Sequence, residues 1–139
     1  MSELPMTAPV ERIMSKRVVT IDVSSSVFDA AREIMSRDIG CVVVMKERQV
    51  IGVVTKGDIL RESVMKRLDP QQLNVERIMS QPVLTVEPTK TLAEASNLMS
   101  EESLTKLPVV DKKGELVGII TSTDIMRRNQ PRKIARDLI

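Results

Sequence analysis

The sequence predicts an α/β fold made of two β-α-β-β-α repeats packed sheet to sheet with pseudo-twofold symmetry. Three observations carry that expectation. Val10-Glu11-Arg12-Ile13-Met14-Ser15 recurs as Val75-Glu76-Arg77-Ile78-Met79-Ser80, six identical residues displaced by 65 positions. The register continues in Val18-Val19-Thr20-Ile21 against Val83-Leu84-Thr85-Val86. After small insertions it returns in Gly52-Val53-Val54-Thr55 against Gly118-Ile119-Ile120-Thr121, followed by Asp58-Ile59 against Asp124-Ile125. A unit near 60 residues buries too little surface to stand alone, so two copies are expected to share a core and to form two equivalent clefts.

Each repeat reads the same way in order. A short helical turn around Glu11 to Ser15 precedes a β-branched strand at Val18 to Ile21. A helix follows, with Val27, Ala30, Ala31, Ile34 and Met35 at i, i+3, i+4, i+7 and i+8 on one stripe. Cys41 to Met45 and Val50 to Thr55 are rich in Val and Ile and flank polar Lys46 to Gln49, as a hairpin does. A closing helix is predicted from about Lys56 to Leu68, with Ile59, Leu60, Val64 and Leu68 facing inward. In the second repeat the corresponding pieces are Val83 to Val86, Thr91 to Ser100, Lys106 to Val110, Glu115 to Thr121 and Ser122 to Asn129. Pro70 supports a break at Asp69-Pro70-Gln71-Gln72. The organisation expected is a tail over 1–7, a first domain over 8–68, a linker over 69–72, a second domain over 73–130 and a basic extension over 131–139.

Composition removes several kinds of chemistry. The chain has no histidine and one cysteine, Cys41, which excludes a His/Cys zinc site, a Ser-His-Asp triad and a Cys-His pair. No catalytic and no metal-ligating residue is expected. Phe28 is the only aromatic residue, so there is no platform on which single-stranded bases could stack. Twenty-one basic residues face 19 acidic ones, a net charge of +2 that is too small to steer nucleic acid unless locally concentrated. No stretch reaches the roughly 18 apolar residues of a membrane helix. Met1 to Pro9 lacks the parts of a signal peptide, and a lone cysteine needs no oxidising compartment, so a cytoplasmic location is expected. The nine methionines, among them Met14, Met35, Met79 and Met99, are expected to fill the core.

The motif richest in chemistry is Gly-h-h-Thr-x-x-Asp-Ile at the junction of the last strand and helix of each repeat, where h is an apolar residue. A carboxylate accepts hydrogen bonds only and has room for two hydroxyl donors. A helix N-terminus offers free N–H groups to a phosphate. Thr-x-x-Asp at a helix start is equally a capping box, in which Thr satisfies one orphan amide and the acid complements the dipole. Gly52-Val53-Val54-Thr55-Lys56-Gly57 superficially suggests a P-loop, but Asp58 stands where that loop needs lysine.

Together with the opening Ile-Met-Ser, the Val-x-Thr-Val strand and Leu107-Pro108-Val109-Val110-Asp111, this duplicated pattern resembles the CBS domain, and the tandem resembles a Bateman module. The resemblance covers about residues 8 to 130. It implies a non-enzymatic regulatory module that binds AMP, ADP, ATP or a related adenosyl ligand such as S-adenosylmethionine in the clefts between the repeats and signals to a protein partner. Carried over, it assigns Thr121, Thr123 and Asp124 in the second repeat, and Thr55 and Asp58 in the first, to ribose or phosphate. It assigns Val83, Thr85, Thr105, Lys106 and Leu107, with Val18, Thr20, Gly40, Cys41 and Val42, to the adenine pocket; buried strand residues account for the valines as well. Cys41 reads as a small core residue, with no base to activate it.

The first repeat departs from the pattern. Cys41-Val42-Val43-Val44-Met45 lacks the proline and the terminal aspartate of Leu107 to Asp111, and Gly57 stands in the place of Thr123. Tighter binding is therefore expected around Asp124. The resemblance also implies a homodimer formed through helices. Arg127, Arg128, Arg132, Lys133 and Arg136 make a basic C-terminus, read as a solvated helix end. Contact there with ligand phosphates, a partner or nucleic acid stays open, as does a ligand-free structural role for the whole module. Pro131 with Ile134, Ala135 and Leu138 predicts a short amphipathic helix.

Overall fold

The computed structural model describes residues 4–129. Its contacts gather into two compact units, one formed by residues 18–84 and the other by the residues up to 17 together with those from 85 onward.

In the unit of residues 18–84, β1 (Thr20–Asp22) runs parallel to β2 (Cys41–Lys46), and β2 pairs antiparallel with β3 (Gln49–Thr55), in the order β1-β2-β3. Val-rich β2 is the central strand, so both its edges are paired and Val42, Val43 and Val44 are buried. Between β1 and β2 lies α1 (Val27–Arg37). Its start is fixed by a capping box in which Ser26 Oγ accepts from the Asp29 amide at 3.0 Å and Asp29 accepts from the Ser26 amide at 3.2 Å. Val27, Ala30 and Ile34 of α1 pack with Val42, Val44 and Val54 of the sheet and with Leu73, Val75, Ile78 and Met79 to form the core. Met35 does not join that stripe and is 75% exposed. It lies in the last turn of α1, three residues before the left-handed Asp38 (φ 52°), and so does not have the core role expected of it.

The closing helix also differs from expectation. It begins as α2 (Lys56–Ile59) and widens into a π-type turn at Leu60–Val64, with Met65 N donating to Leu60 O and Leu68 N to Ser63 O, both five residues back. The widening changes which residues face inward. Ser63 becomes fully buried, its hydroxyl donating to Leu68 O at 3.0 Å. Leu60, Val64 and Leu68, expected inside, are exposed, and only Ile59 packs against the core.

The second unit contains α3 (Leu92–Glu101), the antiparallel pair β4 (Lys106–Val110) and β5 (Leu116–Thr121), and α4 (Ser122–Met126). Helix α4 is shorter than the predicted Ser122 to Asn129. The bulge between Val109 and Val110 repeats the one between Val44 and Met45, and Ser103 (φ 56°) repeats the left-handed turn of Asp38. The strand predicted at Val83 to Val86 is reduced to a single parallel bridge, Val86 to Val109. Two prolines explain the loss. In the first unit Val43 N donates to Val19 O and Val23 N donates to Met45 O, flanking β1. The equivalent residues in the second are Pro108 and Pro88, which have no N–H to give.

The opening motif of each repeat belongs to the compact unit of the other. Val10-Glu11-Arg12 forms a 3₁₀ turn beside α3: Val10 N donates to Lys90 O at 2.7 Å and Leu92 N to Ala8 O at 2.9 Å, while Ser15 and Ile119 exchange two backbone bonds of 2.9 Å. The same pattern recurs with Val75-Glu76-Arg77 in the first unit: Val75 N donates to Ser25 O, Val27 N to Leu73 O and Ser80 N to Val53 O. The methionine of each motif then lies on a glycine of the sheet. A Cβ on Gly52 would stand 2.5 Å from Met79 Sδ, and one on Gly118 would stand 2.7 Å from Met14 Sδ. A side chain at either position forces the methionine, and at Gly118 also the Ser15 backbone, to move.

Candidate functional site

The strand-to-helix junctions are built alike. In the first, Thr55 ends β3 in extended conformation (φ −106°, ψ 167°) and caps α2; its Oγ1 accepts from the Asp58 amide at 3.1 Å, and Asp58 Oδ2 accepts from the Thr55 amide at 2.9 Å. In the second, Thr121 Oγ1 accepts from the Asp124 amide at 3.0 Å and Asp124 Oδ2 from the Thr121 amide at 3.0 Å. Both Thr-x-x-Asp segments are thus complete capping boxes. Capping engages one oxygen of each carboxylate in each box, and a carboxylate has about four acceptor positions. The cap by itself does not take up every acceptor position of the carboxylate.

Each junction is tied to the start of the neighbouring strand. Lys56 N donates to Gly40 O at 3.1 Å and Ser122 N to Thr105 O at 2.9 Å, while Cys41 pairs with Thr55 and Lys106 with Thr121 across the ladder. Gly40, Cys41 and Val42 are thereby brought to the same end of the sheet as Thr55 and Asp58. The parallel pairing of Thr20 with Val43, and the bond from Val43 N to Val19 O, carries Val18 and Thr20 alongside. In the second unit Thr105, Lys106 and Leu107 meet Thr121 and Asp124 in the same way, with Thr123 exposed in the first turn of α4. Thr85 is exposed just before the Val86 bridge, and Val83 lies half-buried outside any strand. Val42 and Leu107 are fully buried, so their side chains belong to the packing and only their backbone faces the junction edge.

One residue at the first junction escaped the sequence reading. Arg61 Nη2 donates to Asp58 Oδ1 at 3.0 Å, and the guanidinium lies over Gly57, where a Cβ would come within 2.9 Å of Nη1. The signal was present as Gly-Asp-x-x-Arg, an acid and a base at i, i+3 behind a residue with no side chain.

Among the described residues no group of His, Cys, Asp or Glu is placed to hold a metal, and no helix is long and apolar enough to cross a membrane. Of the basic C-terminus only Arg127 and Arg128 fall within the described residues; Pro131, Arg132, Lys133, Ile134, Ala135, Arg136 and Leu138 lie outside them. Arg128 Nε donates to Leu4 O at 2.9 Å.

Two matched junctions of one sequence pattern, each with its Gly, Thr and Asp in the same roles, define a duplicated module, and comparison with known proteins places it. The chain belongs to the CBS domain family, whose pattern matches residues 10–64 and 75–130. It is 33% identical over 119 residues to an uncharacterised protein of Methanopyrus kandleri, covering 85% of this chain but 61% of that protein's length. Its fold is similar to that of an uncharacterised conserved protein from Pyrococcus horikoshii, with a TM-score of 0.83 and 31% identity over 93% of this chain and 97% of the other. It is also similar to a CBS domain pair solved in complex with 5-methylthioadenosine and S-adenosyl-L-methionine, with a TM-score of 0.79 and 27% identity over 90% of this chain and 97% of that one.

Proposed function

We propose that the chain is a non-catalytic regulatory module that binds AMP, ADP, ATP or a related adenosyl ligand at its strand-to-helix junctions and passes the bound state to a protein partner. The observation that carries this reading is the pair of junctions in which a Thr hydroxyl and an Asp carboxylate are held at the helix entrance beside the start of a strand. A similar CBS domain pair takes two adenosyl compounds. In the proposed complex the Asp carboxylate accepts the ribose hydroxyls, the Thr hydroxyls serve ribose or phosphate, and the backbone at Gly40 to Val42 and Thr105 to Leu107 meets the adenine. The ligand acts by binding one arrangement of the protein better than another.

A thermal-shift panel of adenosine, AMP, ADP, ATP and S-adenosylmethionine tests the reading. A ligand held at about 100 times its dissociation constant adds roughly 2.7 kcal/mol, a rise on the order of 5–10 °C in Tm. Asp124→Ala is expected to remove most of that shift and Asp58→Ala less of it. Equal losses overturn the asymmetry between the junctions, and no shift with any ligand overturns the nucleotide reading.

The same reading includes a homodimer. Leu60, Val64, Met65 and Leu68 expose a run of apolar side chains along the widened end of the closing helix, with Met65 76% exposed. Light scattering is expected to show twice the 15.5 kDa chain mass at micromolar concentration, and Val64→Glu is expected to shift it toward the single chain.

A further inference from the structure

We infer that residues 4–9 are a releasable strap through which the ligand state of the second junction is read out, an inference that rests on the nucleotide reading above. Each unit carries such a strap across the start of its longer helix. In the first, residues 69–74 lie on α1, whose first two amides, Val27 and Phe28, donate to Leu73 O at 2.7 Å and to Pro70 O at 3.0 Å. In the second, the first two amides of α3, Leu92 and Ala93, donate to Ala8 O and Met6 O, both at 2.9 Å. These are amides with no acceptor inside their own helix, so each strap supplies what the helix start lacks. The ends of the straps match as well: Pro9 bridges Thr91 as Asn74 bridges Ser26.

The straps differ in how they are joined to the closing helix of their unit. Residues 69–74 follow that helix directly in the chain, and Ser63 Oγ reinforces the join by donating to Leu68 O at 3.0 Å. Residues 4–9 come from the opposite end of the described chain and meet the end of α4 through side chains. Asn129, at the place equivalent to Ser63, accepts the Leu4 amide on Oδ1 at 2.7 Å, and Arg128 Nε donates to Leu4 O at 2.9 Å. The same guanidinium donates through Nη1 to Ile125 O at 3.0 Å, and Ile125 is the residue next to Asp124. Helix α4 is only five residues long, so the carboxylate proposed to hold the ligand and the clasp that holds the strap sit at its two ends. Bonds of this kind each shift an equilibrium by about twofold to tenfold. The strap therefore opens locally far more often than the unit unfolds. A ligand that fixes the first turn of α4 favours the closed strap, and by linkage the closed strap tightens the ligand by the same factor. The first unit has no such device, because the chain itself ties its strap to its helix.

The test follows backbone hydrogen exchange in the full chain, with and without AMP or S-adenosylmethionine, at Leu92 and Ala93 under one strap and at Val27 and Phe28 under the other. Without ligand, Leu92 and Ala93 are expected to be about tenfold less protected. Arg128→Ala and Asn129→Ala are each expected to lower that protection by a further factor of about two to ten. Val27, Phe28 and the Val110 amide, which bonds to Val86 O within the second unit, should keep theirs and so show that both units stay folded. Bound ligand should raise the protection of Leu92 and Ala93, and Asp124→Ala should abolish the rise. Unchanged exchange at Leu92 and Ala93 in both clasp variants, or a loss shared equally by Val110, overturns the strap. Ligand binding seen by calorimetry without any change at Leu92 and Ala93 overturns the readout and leaves the nucleotide reading standing. A chain that binds no member of the adenosine panel overturns both.

Discussion

Val43 and Pro108 hold equivalent places in the two sheets, as do Val23 and Pro88. In the unit of residues 18–84 both valine amides donate across to a neighbouring strand, and β1 pairs with β2 over three residues. In the other unit neither proline can donate, and a single bridge at Val86 remains. The same chain pattern thus tolerates a full parallel strand or its remnant. What both units keep is the β-hairpin, the Met-on-Gly contact and the capped junction. The lesson is that the adjoining strand is the adjustable part of this repeat, and the junction is the part that both copies build alike.

The largest expected effects come from the Met-on-Gly contacts. Gly52→Ala and Gly118→Ala should each destabilise by about 2–3 kcal/mol through overpacking, with Gly118 the worse. All three close contacts at Gly52 are with Met79, whereas at Gly118 one is the Ser15 carbonyl at 2.9 Å, which no side-chain rotation removes. A double-mutant cycle in urea sharpens the difference. Met79→Ala should relieve much of the Gly52→Ala cost, and Met14→Ala less of the Gly118→Ala cost; equal relief would mean that the two seats are interchangeable.

Next in size is Val43→Pro, which gives the first sheet the second sheet's residue and should cost about 1–3 kcal/mol, the penalty of an acceptor left without its donor at Val19. Pro108→Val should change stability by less than about 0.5 kcal/mol, since one restored amide does not rebuild a strand whose other donor is still missing at Pro88. If Val43→Pro is neutral to urea unfolding, the proline account of the lost strand fails. Smaller again is removal of a cap in the absence of ligand. Asp58→Ala and Asp124→Ala should each cost about 1 kcal/mol, so that any much larger ligand-dependent difference between them belongs to binding.

The smallest effect is in acid and concerns the first unit. The Ser24 hydroxyl and amide hold the Asp22 carboxyl below its ordinary range, and Lys66 does the same for Glu62. A carboxyl lowered in the folded state contributes stability above its unfolded value and loses it as pH falls through the folded one, so the contribution fades below about pH 4. Asp22→Asn should shallow the acid limb of a Tm-against-pH curve; an unchanged limb would remove Asp22 from the account.

Much of this was legible because it rests on local rules. The repeat, the hairpins, the capping residues and the α1 stripe through Ile34 follow from spacing and residue type. Three things were not. Nothing in the sequence between Lys56 and Leu68 marks the change from four-residue to five-residue hydrogen bonding, so the inward face was assigned to Leu60, Val64 and Leu68 and not to Ser63. The β-branched run Val83 to Val86 looks like a strand, and only its would-be partners at Pro108 and beyond Pro88 show why it pairs once. Of Arg61 the sequence shows only an acid and a base at i, i+3; that its guanidinium lies in the space above Gly57 is a property of the fold and not of either residue alone.

The placement of Val10 to Ser15 against α3 and β5 bears on how the chain folds as it is made. Residues 18–84 form a contiguous unit, so its contacts can close as soon as Ser80 has met Val53. The other unit must wait. The bonds of Ala8 with Leu92 and of Val10 with Lys90 form only when those later residues have been synthesised, and the backbone pair of Ser15 with Ile119 only when Ile119 has. Closing loops of that length is entropically slower than closing the short ones within residues 18–84. During synthesis Val10 to Ser15 therefore precedes its long-range partners, and the later-made β5 and α3 complete its packing.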